Sequence, residues 1–290
     1  MLEKTFLTLA VATAAVTLLF AASNIIVAAS SPGVALTGQV SSPAEGPMEG
    51  VLVSAKREGS TVTITVVSDA KGRYSFPGSR LEPGRYSLGI RAAGYELEGD
   101  QPVEVAGQKT TQRDLKLRQT EDLASQLSNG EWLLSMPGTD EQKQGFLSCV
   151  SCHTVERIVR SRYNADELLQ VMKRMRTYAQ GSTPLRPQVR PGVRDPSPAQ
   201  LQQMTKFAQY MSTINLSKVS KWEYPLKTFP RPKGKATRMI ITEYDLPRPE
   251  AMPHDAAIDA EGLIWYSDFG SQVLGKLDPK TAKAVEYPVQ

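Results

Sequence analysis

Only two cysteines and two histidines occur in the 290 residues of this chain, and this scarcity limits the metal chemistry that the sequence supports. A structural zinc site takes about four Cys, His or acidic ligands. Here no second cysteine pair exists, and His254 lies far along the chain from both cysteines. The sequence therefore argues against zinc, and the spacing of the two cysteines has to decide their role.

Charged residues are also missing from a long N-terminal stretch. None occurs between Lys4 and Glu45, and most of residues 1–29 is apolar. This pattern is typical of an export signal, and Val27-Ala28-Ala29 gives small residues for signal-peptidase cleavage before Ser30. Because the apolar run exceeds the usual length of about 7 to 15 residues, a retained N-terminal anchor is the alternative. In both cases the rest of the chain lies in the periplasm or another extracytoplasmic compartment, and only an uncleaved N-terminal segment contacts the membrane.

The two cysteines and one of the histidines lie together. Two cysteines in an exported protein ordinarily suggest a disulfide, but Cys149, Cys152 and His153 form the pattern C-x-x-C-H, which is the attachment signature of c-type haem. Two thiols must add to two vinyl groups on one porphyrin edge, and the next histidine must reach the iron. The spacing predicts one covalent haem c with His153 as an axial ligand. A thioredoxin-like redox disulfide is the alternative.

Residues 34–118 have the pattern of a small all-β domain, because short runs of alternating or β-branched residues are separated by Gly and Pro. Four sequence motifs, G-x-V, D-x-x-G-x-Y-x-F, L-x-P-G-x-Y-x-L and A-x-G-Y, begin at Gly38, Asp69, Leu81 and Ala93. Together they resemble the carboxypeptidase regulatory-like family. The resemblance implies a transthyretin-like β-sandwich without catalytic residues, used for adhesion, spacing or docking. We expect strands at Val34–Val40, Val51–Ala55, Thr61–Val67, Tyr74–Phe76, Tyr86–Arg91 and Val103–Val105.

The next two segments are interpreted as a linker, residues 119–144, and an all-α domain, residues 145–217. Asn164 and Glu167 form a capping-box pattern at the start of one predicted helix, and Ser197-Pro198 is typical of the start of another. A Pro-rich loop separates these helices. The order helix, C-x-x-C-H, helix, loop, helix resembles a small class I cytochrome c.

The sixth iron ligand is less closely defined by the sequence. Methionine is a common partner of histidine in cytochromes c. Small cytochromes with a shortened distal segment place this ligand in an Arg-Met element late in the helix after C-x-x-C-H, and Arg174-Met175 is similar. This resemblance favours Met175, with Met172 as its nearest rival. The remaining alternatives are an open site, Met136, Met204, Met211 and His254.

Residues 237–290 return to a strand pattern. Glu243-Tyr244 recurs as Glu286-Tyr287, 43 residues later, and a period of about 40 to 45 residues is the size of one propeller blade. The segment resembles the blade repeat of streptogramin (virginiamycin B) lyases. It supplies one incomplete blade, which cannot close a propeller, so we expect the chain to be part of a longer protein.

These features predict a multidomain protein with a small β-sandwich, an all-α cytochrome c domain and an incomplete β-propeller blade. The predicted function is exported electron transfer, and the alternative is a haem-containing part of a larger propeller enzyme or binding protein. The lyase resemblance implies elimination that opens a cyclic ester with a divalent metal, but the catalytic groups of lyases lie in later blades. We therefore expect no such activity from this chain alone.

The charge pattern bears on partners. Residues 154–194 hold nine Lys and Arg against three acids, and a basic rim near a haem edge would steer an acidic redox partner. Arg157, Arg186 and Arg190 are candidates for pairing with haem propionates. Nucleic acid is not expected, because the protein is exported and no binding motif is present.

Overall fold

The computed structural model describes residues 33–99, 102–107, 109–150, 152–179, 182, 187–268 and 271–289. The predicted signal peptide or anchor, residues 1–29, lies outside them. Within the described part, no helix combines the length and apolarity needed to cross a bilayer.

Ten strands between Val34 and Gln119 build a β-sandwich-like domain, as the sequence predicts. One sheet has the order β2-β1-β10-β7, with β5 and β9 also paired to β1, and β4, β3, β6 and β8 are neighbours in a second sheet. Side chains at alternate positions of both sheets are buried in one core. The strands are β1 Val34–Ser42, β2 Gly46–Pro47, β3 Leu52–Arg57, β4 Val62–Val67, β5 Arg73–Pro77, β6 Gly84–Arg91, β7 Tyr95–Leu97, β8 Pro102–Val105, β9 Thr111–Gln112 and β10 Leu115–Gln119.

Strand β11, Ile240–Tyr244, does not lie where the sequence predicts. The blade resemblance makes it the first strand of the propeller-like segment, whereas it pairs antiparallel with β4 at the edge of the sandwich. The register opposes Ile240 to Val66 and Tyr244 to Val62. An edge strand presents unpaired N–H and C=O groups that a further strand satisfies, and β11 supplies this strand. The segment 237–290 is therefore divided between two sheets.

Between Leu123 and Ile214, the described residues form seven α-helices that surround a second apolar core. Trp132 and Phe146 are fully buried in it, and Met211 and Ile214 come from the last helix. The protein is thus β-rich, with one helical segment between its sheets. The helices are α1 Leu123–Gln126, α2 Asn129–Ser135, α3 Asp140–Gln144, α4 Phe146–Cys149, α5 Glu156–Val159, α6 Ala165–Met175 and α7 Pro198–Ile214.

The prediction of a linker over residues 119–144 does not describe that segment. The structure places α1, α2 and α3 there, and Ala124, Trp132 and Met136 belong to the helical core. Ser128 and Glu131 form a capping box at the start of α2, which offsets the poor intrinsic stability of so short a helix. The segment is structured because burial of its few large apolar side chains outweighs its polar composition.

The two helix starts predicted from local sequence are confirmed. Asn164 caps α6, accepting from the Glu167 backbone N–H at 3.0 Å while the Glu167 carboxylate accepts from the Asn164 N–H at 2.8 Å. Ser197 caps α7, with Pro198 as an early helical residue. Capping of this kind fixes where each helix begins.

A connecting segment, residues 222–239, runs from the helical core to the sandwich. Its first part packs Trp222 against Trp132, with ring centroids 5.2 Å apart. The Phe229 N–H donates to the buried Glu131 carboxylate at 2.9 Å, and further along, Arg231 forms an ion pair with Glu45 of the sandwich. A short 3₁₀ helix, Gly234–Arg238, then leads into β11.

The last four strands form a separate antiparallel sheet with the order β12-β13-β14-β15. Arg248 lies beside it, with Nη2 2.6 Å from Asp268 and Nε 2.6 Å from Glu286. Tyr266 also donates to Glu286 at 3.0 Å. This network joins the loop before the sheet to two of its strands, β13 and β15. The strands are β12 Pro253–Ile258, β13 Ile264–Asp268, β14 Val273–Asp278 and β15 Lys283–Pro288.

We expect this network to make the stability of the last sheet depend on pH. The hydrogen bond from Arg248 holds the pKa of Glu286 below its ordinary value of 4.5. A carboxylate with a lowered folded-state pKa contributes stability that is complete above its unfolded pKa and is lost as the pH falls through the folded pKa. The measurement is thermal unfolding of the wild type and Glu286→Gln between about pH 7 and pH 3. The stability difference between them should shrink below pH 4.5; a constant difference would contradict the assignment.

Candidate haem-attachment site

Helix α4 positions the first cysteine of the C-x-x-C-H sequence. The Phe146 ring is fully buried and meets Phe207 and Tyr210 edge-on, at centroid distances of 5.1 and 6.2 Å. Cys149 ends the helix one turn later and packs, partly buried, against the same core. The Cys152 N–H donates to the Cys149 carbonyl at 3.3 Å, so the chain turns directly after the helix. The anchored helix therefore fixes the start of the motif.

Neither cysteine forms a disulfide. Burial, with a smaller contribution from the neighbouring Cys152, raises the pKa of Cys149 to about 11. Thioredoxin-like motifs act through a thiol whose pKa is lowered to about 3.5 to 7.5. The environment of Cys149 shifts the pKa in the opposite direction, which argues against redox-disulfide chemistry at this thiol.

The imidazole of His153 is half-buried and is held by a backbone contact. Its Nδ1 lies 3.0 Å from the carbonyl oxygen of Thr154. With the proton on Nδ1 and donated to this carbonyl, Nε2 keeps a lone pair for a metal ion. The contact therefore selects the tautomer and ring orientation that an axial ligand needs.

The methionines differ in exposure, and this difference separates the candidate sixth ligands. Met136 and Met211 are 1% and 2% exposed in the helical core, and Met204 is 9% exposed. Met172 is partly buried against the same core. Met175, at the C-terminal end of α6, is 39% exposed. It is thus the helical-segment candidate whose thioether is least engaged in core packing.

The remaining candidates lie in varied environments. His254 belongs to β12 in the last sheet, where its Nδ1 lies 2.8 Å from Asp255. Arg157 is exposed, whereas Arg190 donates to the Arg176 carbonyl at 3.1 Å. Arg186 lies outside the described residues. Of Arg157 and Arg190, Arg157 is therefore the more available to pair with a haem propionate.

Trp132 is a feature that the sequence interpretation overlooked. Its side chain is fully buried in the core that Cys149 contacts, yet its indole N–H has no hydrogen-bond partner within the described part of the chain. An unsatisfied buried donor costs about 1 to 3 kcal/mol. The sequence could have indicated this helix, because the capping-box pattern of Ser128 and Glu131 lies directly before Trp132.

These donors fit a covalently held haem better than a metal ion bound by side chains alone. Two thiols outside any disulfide, one oriented imidazole and one exposed thioether match the ligand chemistry of a c-type haem. Over the residues that the structure describes, no cluster of three or more His, Cys, Asp or Glu side chains could hold a metal ion.

Comparison with known proteins identifies one part of the chain. No curated protein matches it. A solved structure, the Bacillus anthracis TIE protein, shares 22% identity over 30% of this chain with a TM-score of 0.26, and the match spans only 17% of that protein's length. The sequence model of the carboxypeptidase regulatory-like domain family matches residues 35–118. That stretch of the chain, which forms the sandwich, is therefore a carboxypeptidase regulatory-like domain.

Proposed function

We propose that this protein is an exported electron-transfer protein with one covalent c-type haem on Cys149 and Cys152. The observation that carries the proposal is the C-x-x-C-H sequence at the end of an anchored helix, with neither cysteine in a disulfide and the His153 ring oriented by Thr154. The bound haem supplies an iron that alternates between ferrous and ferric states. The side chains have only to hold, orient and shield it.

Each site residue has a separate task in this proposal. The two thiols fix one porphyrin edge, and the packing of Cys149 on the helical core ties that edge to the fold. His153 would bind the iron through Nε2. Met175 would supply a thioether ligand, which would raise the reduction potential because soft sulfur favours the ferrous state.

The surface charge supports an acidic redox partner. Of the basic residues in 154–194, Arg160 is paired with Asp122 and Glu156, whereas Arg157 and Arg174 are exposed. Surface charges of one sign steer an oppositely charged partner and raise the association rate. Electron transfer to such a partner should slow as the ionic strength rises.

The last sheet favours a second candidate function, in which the haem segment would carry electrons away from a larger propeller-based enzyme or binding protein. Its four strands follow one another in an antiparallel meander, as in a propeller blade, and every residue of β12 is exposed. In this alternative the haem accepts electrons from chemistry at the propeller. Intact mass of the native exported protein distinguishes the two candidates, because further blades would add to the mass.

The proposed function predicts one covalent haem and one redox transition per chain. Potentiometric titration of the exported protein should show a single one-electron step, and its intact mass should include one haem. A protein without haem in a host that matures c-type cytochromes normally, or a two-electron thiol step in its place, would contradict the proposal. A known cytochrome c exported by the same cells serves as the control.

A further inference from the structure

The backbone that follows α6 is held by a later segment of the chain. Residues 177–179 come directly after the end of the helix and pair antiparallel with residues 188–190. In this pairing the Arg190 N–H donates to the Thr177 carbonyl at 2.8 Å. We call these two short stretches the α6 clamp. The clamp begins two positions after Met175, the candidate sixth iron ligand.

The clamp satisfies carbonyl groups that the end of the helix leaves open. The last carbonyls of an α-helix have no partner within the helix itself. The Met175 carbonyl accepts from the Tyr178 N–H at 3.1 Å. The Arg176 carbonyl accepts from Nη2 of Arg190 at 3.1 Å, across 14 positions in sequence. A cationic donor at this place is further favoured by the negative end of the helix dipole.

The clamp has two other anchors in the helical segment. Ser182 is 4% exposed, and its hydroxyl accepts from the Gln188 N–H at 2.9 Å. On the opposite side, Nη1 of Arg176 lies 4.0 Å from the sulfur of Met204 on α7. The residue after Met175 is therefore held through its carbonyl by the clamp and through its side chain by α7.

This support matters because little else restrains the Met175 side chain, which is 39% exposed. A soft thioether favours the ferrous state, so it is held less firmly by ferric iron. Contacts that orient a metal ligand strengthen its binding to the metal, because less freedom is lost when the bond forms. Loss of the clamp should therefore weaken the bond between Met175 and ferric iron.

We propose that Arg190 is a positioning residue for the sixth iron ligand, which holds the end of α6 so that the Met175 thioether stays on the iron. The inference rests on the proposed function, in which Met175 is that ligand. It assigns the Arg190 guanidinium to the Arg176 carbonyl in place of a haem propionate.

Titration of the ferric exported protein with imidazole tests this inference, because imidazole displaces the thioether and removes its far-red absorption. Arg190→Ala should bind imidazole about tenfold more tightly than the wild type, the effect expected when one charge-assisted hydrogen bond no longer supports the native ligand. Arg190→Lys keeps a cationic donor and should restore most of the wild-type behaviour. Arg194→Ala removes the same charge at another exposed position and should match the wild type.

Backbone hydrogen exchange gives a second readout that does not depend on the iron. The Ala179 N–H donates to the Gln188 carbonyl at 2.6 Å within the clamp. Its exchange should be faster in Arg190→Ala than in the wild type or Arg194→Ala, because the clamp opens more often. Arg190 is exposed, so none of these variants should unfold the protein.

The outcomes separate this inference from the proposed function. Unchanged imidazole affinity in Arg190→Ala, in a protein with covalent haem and the far-red band, would overturn this inference alone. An equal effect in Arg194→Ala would do the same, because charge and not position would be responsible. A lowered potential with unchanged imidazole affinity would make Arg190 a propionate partner instead. Wild-type protein without covalent haem would overturn the proposed function, and this inference with it.

Discussion

Simultaneous replacement of Cys149 and Cys152 by alanine should abolish covalent haem attachment completely. Without the two thiols no thioether bonds can form, and His153 alone cannot retain haem once the protein is denatured. The measurement is extraction of the denatured protein with acid and organic solvent, followed by an absorption spectrum. The wild-type polypeptide should keep its haem, and the double variant should release any haem that it contains.

Two variants control this experiment. Ser148→Ala changes the exposed residue next to Cys149 on the same helix and should leave the covalent haem in place. Cys152→Ala alone leaves one possible thioether and should give a haem spectrum shifted by the unreacted vinyl group. If the wild-type haem were extracted in full, the proposed attachment would be wrong.

The second large effect is expected at the sixth iron ligand. Met175→Ala should remove the weak far-red absorption of thioether-ligated ferric haem and lower the reduction potential, because the ferrous state loses its soft sulfur ligand. Met175 is 39% exposed, so the substitution should cost little stability. Absorption spectroscopy and potentiometric titration of the oxidised protein measure both effects.

Met172→Ala is the matched control, one turn away on the same helix. Its side chain packs against the helical core, so alanine should cost about 2 kcal/mol, near the lower end of the range for such substitutions, and leave the far-red band in place. Survival of the band in Met175→Ala with its loss in Met172→Ala or Met204→Ala would refute the assignment and leave the haem proposal standing. A bis-imidazole spectrum lost in His254→Ala would instead show that the last sheet takes part in the site.

Local signals account for what the sequence predicted well. The caps at Asn164 and Ser197 depend on side chains three residues away, and the sandwich strands depend on alternation within each strand. The C-x-x-C-H spacing is local too, and the haem attachment that it indicates stays a prediction. Features of this kind can be read from a few consecutive residues.

Features decided by tertiary packing could not be predicted in this way. Helices α1 to α3 have four to seven residues, which is shorter than the window of about 11 to 18 residues in which helical periodicity shows. The alternation of apolar and polar residues in β11 indicates a strand but does not show which strand it pairs with. Met172 and Met175 share one periodic pattern, which does not show that Met172 packs against the core while Met175 is exposed.

The pairing of β11 with β4 links the folding of distant parts of the chain. Thr65 of β4 and Glu243 of β11 are separated by 178 positions in sequence, so this edge closes a loop that contains the whole helical segment. Contacts of such long range form late, because the entropy of loop closure opposes them until other structure has shortened the loop. We therefore expect β11 to join β4 only after the helical core has brought the connecting segment alongside the sandwich. A chain shortened to end before residue 244 would keep β4 as an open edge.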